Sequence, residues 1–281
     1  MVKARKHCYG LWLIILALSL GHIWSASIRR PHPAAMGNEI HAPSQWQAND
    51  VKRLRISTYN IHRAKGLDGV RDIERTAALL EDADILGLNE VGGPSWFGTP
   101  DQAQQLGNLL DTGWLFAPVQ TRYFRTYMGN ALLSRIPIIE WHRQPLVWSD
   151  RPDDKDRSHA LRNLLTARID LAGKEATLLI THLDRGPIRE QQLKFVLDSL
   201  RRQERAILLG DLNTRRTDPE LSALISDSKY VDTISEALGE TDEPRRIDWI
   251  IAKGFKVLDG GMEPAGASDH PYYWVDLELR D

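Results

Sequence analysis

Ala206-Ile207-Leu208-Leu209-Gly210-Asp211-Leu212-Asn213 carries four apolar residues in a row, then a glycine, then a carboxylate and an amide two positions apart. A short apolar run closed by glycine reads as a buried strand, and the polar pair stands where that strand ends. The same pattern recurs along the chain. Leu54-Arg55-Ile56-Ser57-Thr58-Tyr59 alternates with period two and is followed by Asn60 and His62. Asp84-Ile85-Leu86-Gly87-Leu88-Asn89 is followed by Glu90, and the apolar run at 176–180 by His182 and Asp184. Asp248 interrupts Arg246-Ile247-Asp248-Trp249-Ile250, and Asp269-His270 precedes a closing strand over 273–279. Further strands are predicted at 131–134, 164–171 and 247–252. Helical spacing of Ile73, Ala77 and Leu80 predicts a helix over 70–82, and Pro187 opens another running to about Arg202. Many strands, several of them adjacent without an intervening helix, argue for an α/β sandwich rather than a doubly wound sheet. No linker divides 53–281, which reads as one domain.

Composition agrees with a packed chain. The 281 residues are 42% hydrophobic and 26% charged, which excludes a wholly disordered, collagen-like or coiled-coil molecule. A single cysteine, Cys8, excludes an intrachain disulfide framework and a Cys-rich metal site. The net charge of -2 is uneven: residues 1–52 hold six Lys/Arg against two acids, leaving 30 basic and 36 acidic residues after them. An acidic body argues against tight, non-specific duplex binding, which rests on neutralising many phosphates.

Lys3, Arg5 and Lys6 precede an apolar run from Tyr9 to Trp24. Sixteen residues give a helix of about 24 Å, short of the roughly 30 Å hydrocarbon core, which suits a signal peptide or a short anchor over 1–28. Ser25-Ala26-Ser27 offers a cleavage site after Ser27. The basic flank predicts an N-terminus that stays inside and an exported remainder, membrane-anchored if uncleaved and periplasmic or secreted if cleaved. Residues 29–52, with Pro31, Pro33 and Pro43 and no periodicity, read as a flexible tether.

Any one polar strand ending has an ordinary reading as a cap or turn, but six in one chain are unusual, and strand ends of one sheet face converge. Glu90, Asp211, Asn213 and Asp269 offer oxygen ligands suited to Mg²⁺ or Mn²⁺. An imidazole paired with a carboxylate, His270 with Asp248, can take a proton from water. Asn60, Asn213 and His182 can stabilise charge developing on phosphate oxygens. Arg122, Arg125, Arg135, Arg157 and Arg162 are candidate phosphate contacts, although loop cations are ordinarily solvated. Trp96, Trp114, Trp141 and Trp148 are candidates for stacking on bases or touching lipid, or for core. No Walker-type loop, Gly-x-Ser-x-Gly elbow or His-Glu-x-x-His segment is present.

With these residues in place, the chain resembles the endonuclease/exonuclease/phosphatase superfamily with its DNase-I-like fold. Seven segments fall in the family's order: Thr58-Tyr59-Asn60-Ile61-His62, Leu88-Asn89-Glu90-Val91, Gly129-Asn130-Ala131-Leu132-Leu133-Ser134-Arg135, Thr181-His182-Leu183, Gly210-Asp211-Leu212-Asn213, Arg246-Ile247-Asp248 and Ser268-Asp269-His270. The resemblance implies a four-layer αββα sandwich with Mg²⁺ or Mn²⁺ at one end of the sheets. It makes Glu90 the principal metal ligand, supported by Asn60 and Asp269, and Asp211 the carboxylate that orients the nucleophile. It makes Asn213 and His182 a phosphate-contacting pair and Asp248–His270 a dyad, with Tyr127 and Asn130 as weaker phosphate contacts. The implied reaction is attack of water on a phosphoester, in a family that includes nucleases, phospholipid and sphingomyelin phosphodiesterases and phosphatases of sugars or inositols. With the N-terminal segment read as an export signal or anchor, the expectation is a phosphodiesterase acting outside the cytoplasm on a nucleic acid or a lipid headgroup. A non-catalytic interaction module on the same fold is the contrasting reading. His62 stands where some nuclease branches carry an acid, which gives no support to a second metal, and Asn89 stands where Gln is commoner.

Overall fold

The computed structural model describes residues 16, 18–21, 30–46, 52–95, 98–122, 125–147, 161–239 and 245–280. In chain order its strands are β1 Arg30–Pro31, β2 Ala35–Gly37, β3 Arg53–Asn60, β4 Ile85–Gly92, β5 Gly113–Pro118, β6 Gln120–Arg122, β7 Arg125–Thr126 and β8 Met128–Ser134. They continue as β9 Ile138–Pro145, β10 Asn163–Leu171, β11 Lys174–Thr181, β12 Ala206–Asp211, β13 Tyr230–Asp232, β14 Asp248–Lys253, β15 Phe255–Glu263 and β16 Tyr272–Leu279. The helices are α1 Ile73–Ala78, α2 Gln102–Leu110, α3 Arg189–Arg201, α4 Pro219–Ile225 and α5 Thr233–Leu238.

Two sheets face each other. One runs β13-β14-β12-β11-β10-β9-β2 and the other β15-β16-β3-β4-β8-β5. Between them Ile56, Ile85 and Leu132 pack against Leu165, Ile180, Leu209 and Ile250. The outer face of the first sheet is covered by Leu193, Val196 and Leu197 of α3 with Leu221 and Leu224 of α4, which meet Leu179, Leu208 and Trp249. The outer face of the second is covered by Ala103, Leu106 and Leu110 of α2, against Leu86, Leu88 and Leu133. The result is four layers, αββα. It explains why 206–209 is apolar without alternation: Ile207 and Leu209 face the other sheet while Ala206 and Leu208 face helices, so both sides are dry.

The helix predicted over 70–82 is shorter. Asp72 caps it, accepting the Arg75 N–H at 2.9 Å, and it ends at Leu79. β15 was not expected, because Lys256, Asp259, Gly260 and Gly261 break the pattern. As an edge strand, half-exposed with a single neighbour, it needs no continuous apolar face.

The tether reading of 29–52 is corrected over 30–46, which lies against the sandwich. β1 pairs with β6 and β2 pairs with β9. Trp141 Nε1 donates to the Glu39 carbonyl at 2.8 Å, Arg143 Nη2 to the Pro33 carbonyl at 2.9 Å, and the His41 ring stacks on Trp114 at 3.8 Å. Prolines remove periodicity but leave carbonyls free to accept, so an edge segment forms without a sequence signature. Trp114 and Trp141 therefore hold this segment, while Trp96 and Trp148 lie outside the described residues. So do Cys8, the proposed cleavage site and most of the apolar run at 9–24. Among the described residues no helix is long and apolar enough to cross a membrane.

Candidate active site

β3 and β4 run parallel, as do β11 and β12, so their C-terminal ends lie at one edge of the sandwich. Antiparallel β14 and β16 start at that edge. Asp211, the last residue of β12, is the register partner of Asp248, the first of β14. Asn60 ends β3 opposite Asn89 of β4.

Local backbone geometry aims the side chains. At Glu90 a bulge between Leu88 and Val91 coincides with φ of 53°, a left-handed conformation that costs energy for a residue with a side chain. Asn213 has φ of 46°. Gly210 has φ of 134°, and a Cβ there would stand 1.9 Å from the Thr181 carbonyl oxygen, so only glycine lets β12 approach β11 just before Asp211.

The buried centre is Asp211, Asp248 and His270, whose ligand atoms lie within 4.8 Å of one another. His270 Nδ1 is 2.7 Å from Asp248 Oδ2, and its Nε2 is 3.8 Å from Asp211 Oδ2. Asn60 Nδ2 donates to Asp211 Oδ2 at 3.2 Å and to Glu90 Oε1 at 3.4 Å, joining the two sheets. Asn60 Oδ1 accepts the His62 N–H at 3.2 Å. His182 Nε2 is 3.2 Å from Asp211 Oδ2, and both residues are buried. Asn213 donates through Nδ2 to the Leu183 carbonyl and accepts at Oδ1 from Arg185 Nε at 3.2 Å. Asp269 lies 3.4 Å from His62 Nδ1 and accepts from Ser268 Oγ.

These surroundings set the protons. Burial, then the neighbouring Asp248 charge, raises Asp211 to about 7. Burial opposes the charged form of His270, but the hydrogen bond to Asp248 and the charges of Asp248, Asp211 and Asp269 outweigh it and lift His270 to about 9. Burial, then the Arg162 charge, holds His182 well below its usual value, so it is neutral.

The two weaker phosphate candidates are placed differently from each other. Asn130 is buried, accepting from Asn89 Nδ2 and donating to Asn163 Oδ1, each at 2.8 Å, so both ends of its amide are committed. Asn89 Oδ1 accepts the Asp211 N–H at 2.8 Å, and Asn163 Nδ2 donates to the Ala117 and Pro118 carbonyls. This run of amides ties the Asp211 backbone across both sheets. Tyr127 is exposed, its carbonyl accepting the Gly93 N–H beyond Glu90. Asn163 and Ser268 escaped the sequence reading. Ser268 Oγ donates to the Asn60 carbonyl at 2.6 Å and accepts the His270 N–H at 3.4 Å. The signal for Asn163 was a polar pair, Arg162-Asn163, opening an apolar strand. Arg246 buttresses the centre: it stacks on Trp249 at 4.0 Å and bonds to Asp232 at 2.6 Å.

Residues 57–270, about three quarters of the chain, match the endonuclease/exonuclease/phosphatase family. The chain belongs to this family, whose members are phosphoester hydrolases. Among solved structures it is similar to an endonuclease/exonuclease/phosphatase from Beutenbergia cavernae DSM 12333, at 27% identity over 82% of this chain and 72% of that one, TM-score 0.63. It also resembles in fold a mannosyl-6-phosphatase from Bacteroides thetaiotaomicron VPI-5482, at 18% identity over 80% and 100% of the two chains, TM-score 0.58. A third likeness is D. rerio TDP2 complexed with a single-strand DNA product, at 17% identity over 81% and 99%, TM-score 0.57. No curated protein matches the sequence. The four-layer DNase-I-like sandwich expected from the sequence is the fold observed.

Proposed function

We propose that this protein is a divalent-metal-dependent phosphodiesterase that acts outside the cytoplasm. The observation that carries the chemistry is the buried row Asp248–His270–Asp211, with Nδ1 of the imidazole fixed at 2.7 Å and Nε2 turned toward Asp211. The basic-then-apolar N-terminus supports export, with the segment serving as anchor or signal.

The site fits a hard cation. Carboxylates of Glu90, Asp211 and Asp269 and the Asn60 carbonyl oxygen make an oxygen-rich set, and Asp248 Oδ1 is buried without a hydrogen-bond partner. Glu90 and Asp269, with Asn60, would hold Mg²⁺ or Mn²⁺. When bound, the ion supplies Lewis-acid stabilisation of charge at phosphorus. The Asn60 amide nitrogen faces Glu90 and Asp211, so its main effect in this arrangement is to hold the two carboxylates in register.

Proton transfer divides between two residues. Nδ1 of His270 keeps its hydrogen for Asp248, which leaves Nε2 as the working atom. With His270 at about 9 and Asp211 at about 7, the imidazole is cationic at neutral pH and Asp211 is the better acceptor of a proton from water. Asp211 Oδ2 takes the proton of the water as its oxygen bonds to phosphorus, and Nε2 of the His270 cation gives its proton to the leaving oxygen as the old P–O bond breaks. Asn213 and neutral His182 flank Asp211 and contact the phosphoryl oxygens.

The substrate is a phosphodiester of nucleic acid or of a lipid headgroup. Of the structures named above, one is complexed with a single-strand DNA product, which supports the nucleic-acid arm, and one is a mannosyl-6-phosphatase, a phosphoesterase of another substrate class. The full chain is assayed in Mg²⁺ and Mn²⁺ on plasmid DNA, single-stranded oligonucleotide and phospholipid vesicles, with His270→Ala as contamination control. Cleavage by wild type alone in any arm supports the reading. A folded protein that cleaves none of them and no generic phosphodiester contradicts it.

A further inference from the structure

Arginines around the site are mostly committed. Arg185 Nε donates to Asn213 Oδ1, and Arg189 Nη1 donates to the Asn213 carbonyl while its Nη2 faces Asp218; Arg135 follows β8 at the opposite end of the sheet, where it donates to the Glu81 and Ala83 carbonyls. Arg162 differs. It is 7% exposed, yet among the described residues its side chain makes no hydrogen bond and no ion pair within 4 Å, and its Nε is buried without a partner. Its backbone is fixed: its carbonyl accepts the Leu146 N–H at 2.9 Å, and the next residue, Asn163, anchors the run of amides that reaches Asp211. A guanidinium nitrogen buried without a partner costs stability, and such costs persist where a ligand completes the set.

Register places Arg162: it stands two residues before Leu164, the partner of Thr181 in β11, and so lies beside the His182 end of that strand. Asp211, Asp184 and Glu90 favour its charged form, although burial outweighs them and weakens its hold on the proton. It is also the first charge felt by His182, whose buried Nε2 likewise lacks a hydrogen-bond partner. A planar cation and an imidazole nitrogen, both waiting beside Asp211, match two non-bridging oxygens of one phosphoryl group.

We propose that Arg162 and His182 form a preformed phosphoryl-binding pocket in which Arg162 clamps the non-bridging oxygens of the scissile group. The pocket rests on the phosphoesterase reading of the site and names the group it grips. Arg162 binds; it does not move a proton.

The test uses the full chain in Mg²⁺ and inorganic phosphate as probe, read by calorimetric titration and by the phosphate-dependent rise in Tm. Wild type binds phosphate, Arg162→Met loses at least tenfold in affinity, and Arg162→Lys, which keeps charge but not the fork, falls between. Without phosphate, Arg162→Met melts no lower than wild type, because an apolar side chain of similar length replaces an unpaired buried charge. In the hydrolysis assay the KM of Arg162→Met rises by a similar factor. Equal phosphate affinity in wild type and Arg162→Met, or no phosphate binding by wild type, overturns the pocket even if hydrolysis proceeds. Arg162-dependent phosphate binding by a protein that hydrolyses nothing leaves the pocket standing and refutes the catalytic reading.

Discussion

His270 Nδ1 stands 2.7 Å from Asp248 Oδ2, and both side chains are buried. That bond fixes the tautomer and keeps the imidazole charged to about pH 9. Asp248→Asn keeps the shape and removes the charge. His270 then titrates lower, and turnover falls by about two to four orders of magnitude, the range for a positioned proton-transfer group. Proton NMR of His270 in EDTA-treated protein and steady-state kinetics check both parts.

The raised values also set how stability varies with pH. Asp211 rises from 3.8 to about 7 and His270 from 6.5 to about 9, so in each case the folded state binds the proton more tightly. Their contributions are fully present below the unfolded values. Asp211's is lost as pH climbs from about 4 to 7, and His270's from about 6.5 to 9. EDTA-treated protein therefore loses stability steadily over that window. Asp211→Asn flattens its acidic half and gains about 2 kcal/mol at pH 7, since the buried charge is gone. Urea unfolding at several pH values measures it.

Asn130 joins Asn89 to Asn163 in the interior. Asn130→Ala strips Asn163 Oδ1 of its donor and leaves Asn89 Nδ2 with the Thr181 carbonyl alone, at a cost of about 2–4 kcal/mol. Because Asn89 also holds the Asp211 N–H, turnover falls as well. Urea unfolding and kinetics on the same preparation test the coupling.

Gly210→Ala is expected to unfold the chain or cost upwards of about 3 kcal/mol, because its Cβ would meet the Thr181 carbonyl and its φ is positive. Soluble, fully stable protein by thermal melt would show that β12 can move.

The strand endings were legible because an apolar run needs a reason to stop at a carboxylate, and Asp248 stood out among Ile, Trp and Ile. What was not legible followed from three-dimensional neighbours. The resemblance made Asn130 a phosphate contact and gave no sign that Asn89 and Asn163 take both ends of its amide. The edge strands at 35–37 and 255–263 lack a pattern because little of them is buried on both faces. Of the five candidate arginines only Arg135 and Arg162 have described side chains, and an Nε buried without a partner sets Arg162 apart from Arg135, which donates to two carbonyls.

Metal-dependent phosphodiester hydrolysis is tested most directly with a generic substrate, such as bis(p-nitrophenyl) phosphate, and the full chain with and without Mg²⁺ or Mn²⁺. The expected result is turnover that EDTA abolishes and either ion restores, with His270→Ala and Asp211→Asn each slower by about 10²–10⁴ while folded. Turnover indifferent to divalent ions, or a His270→Ala variant as fast as wild type, contradicts it.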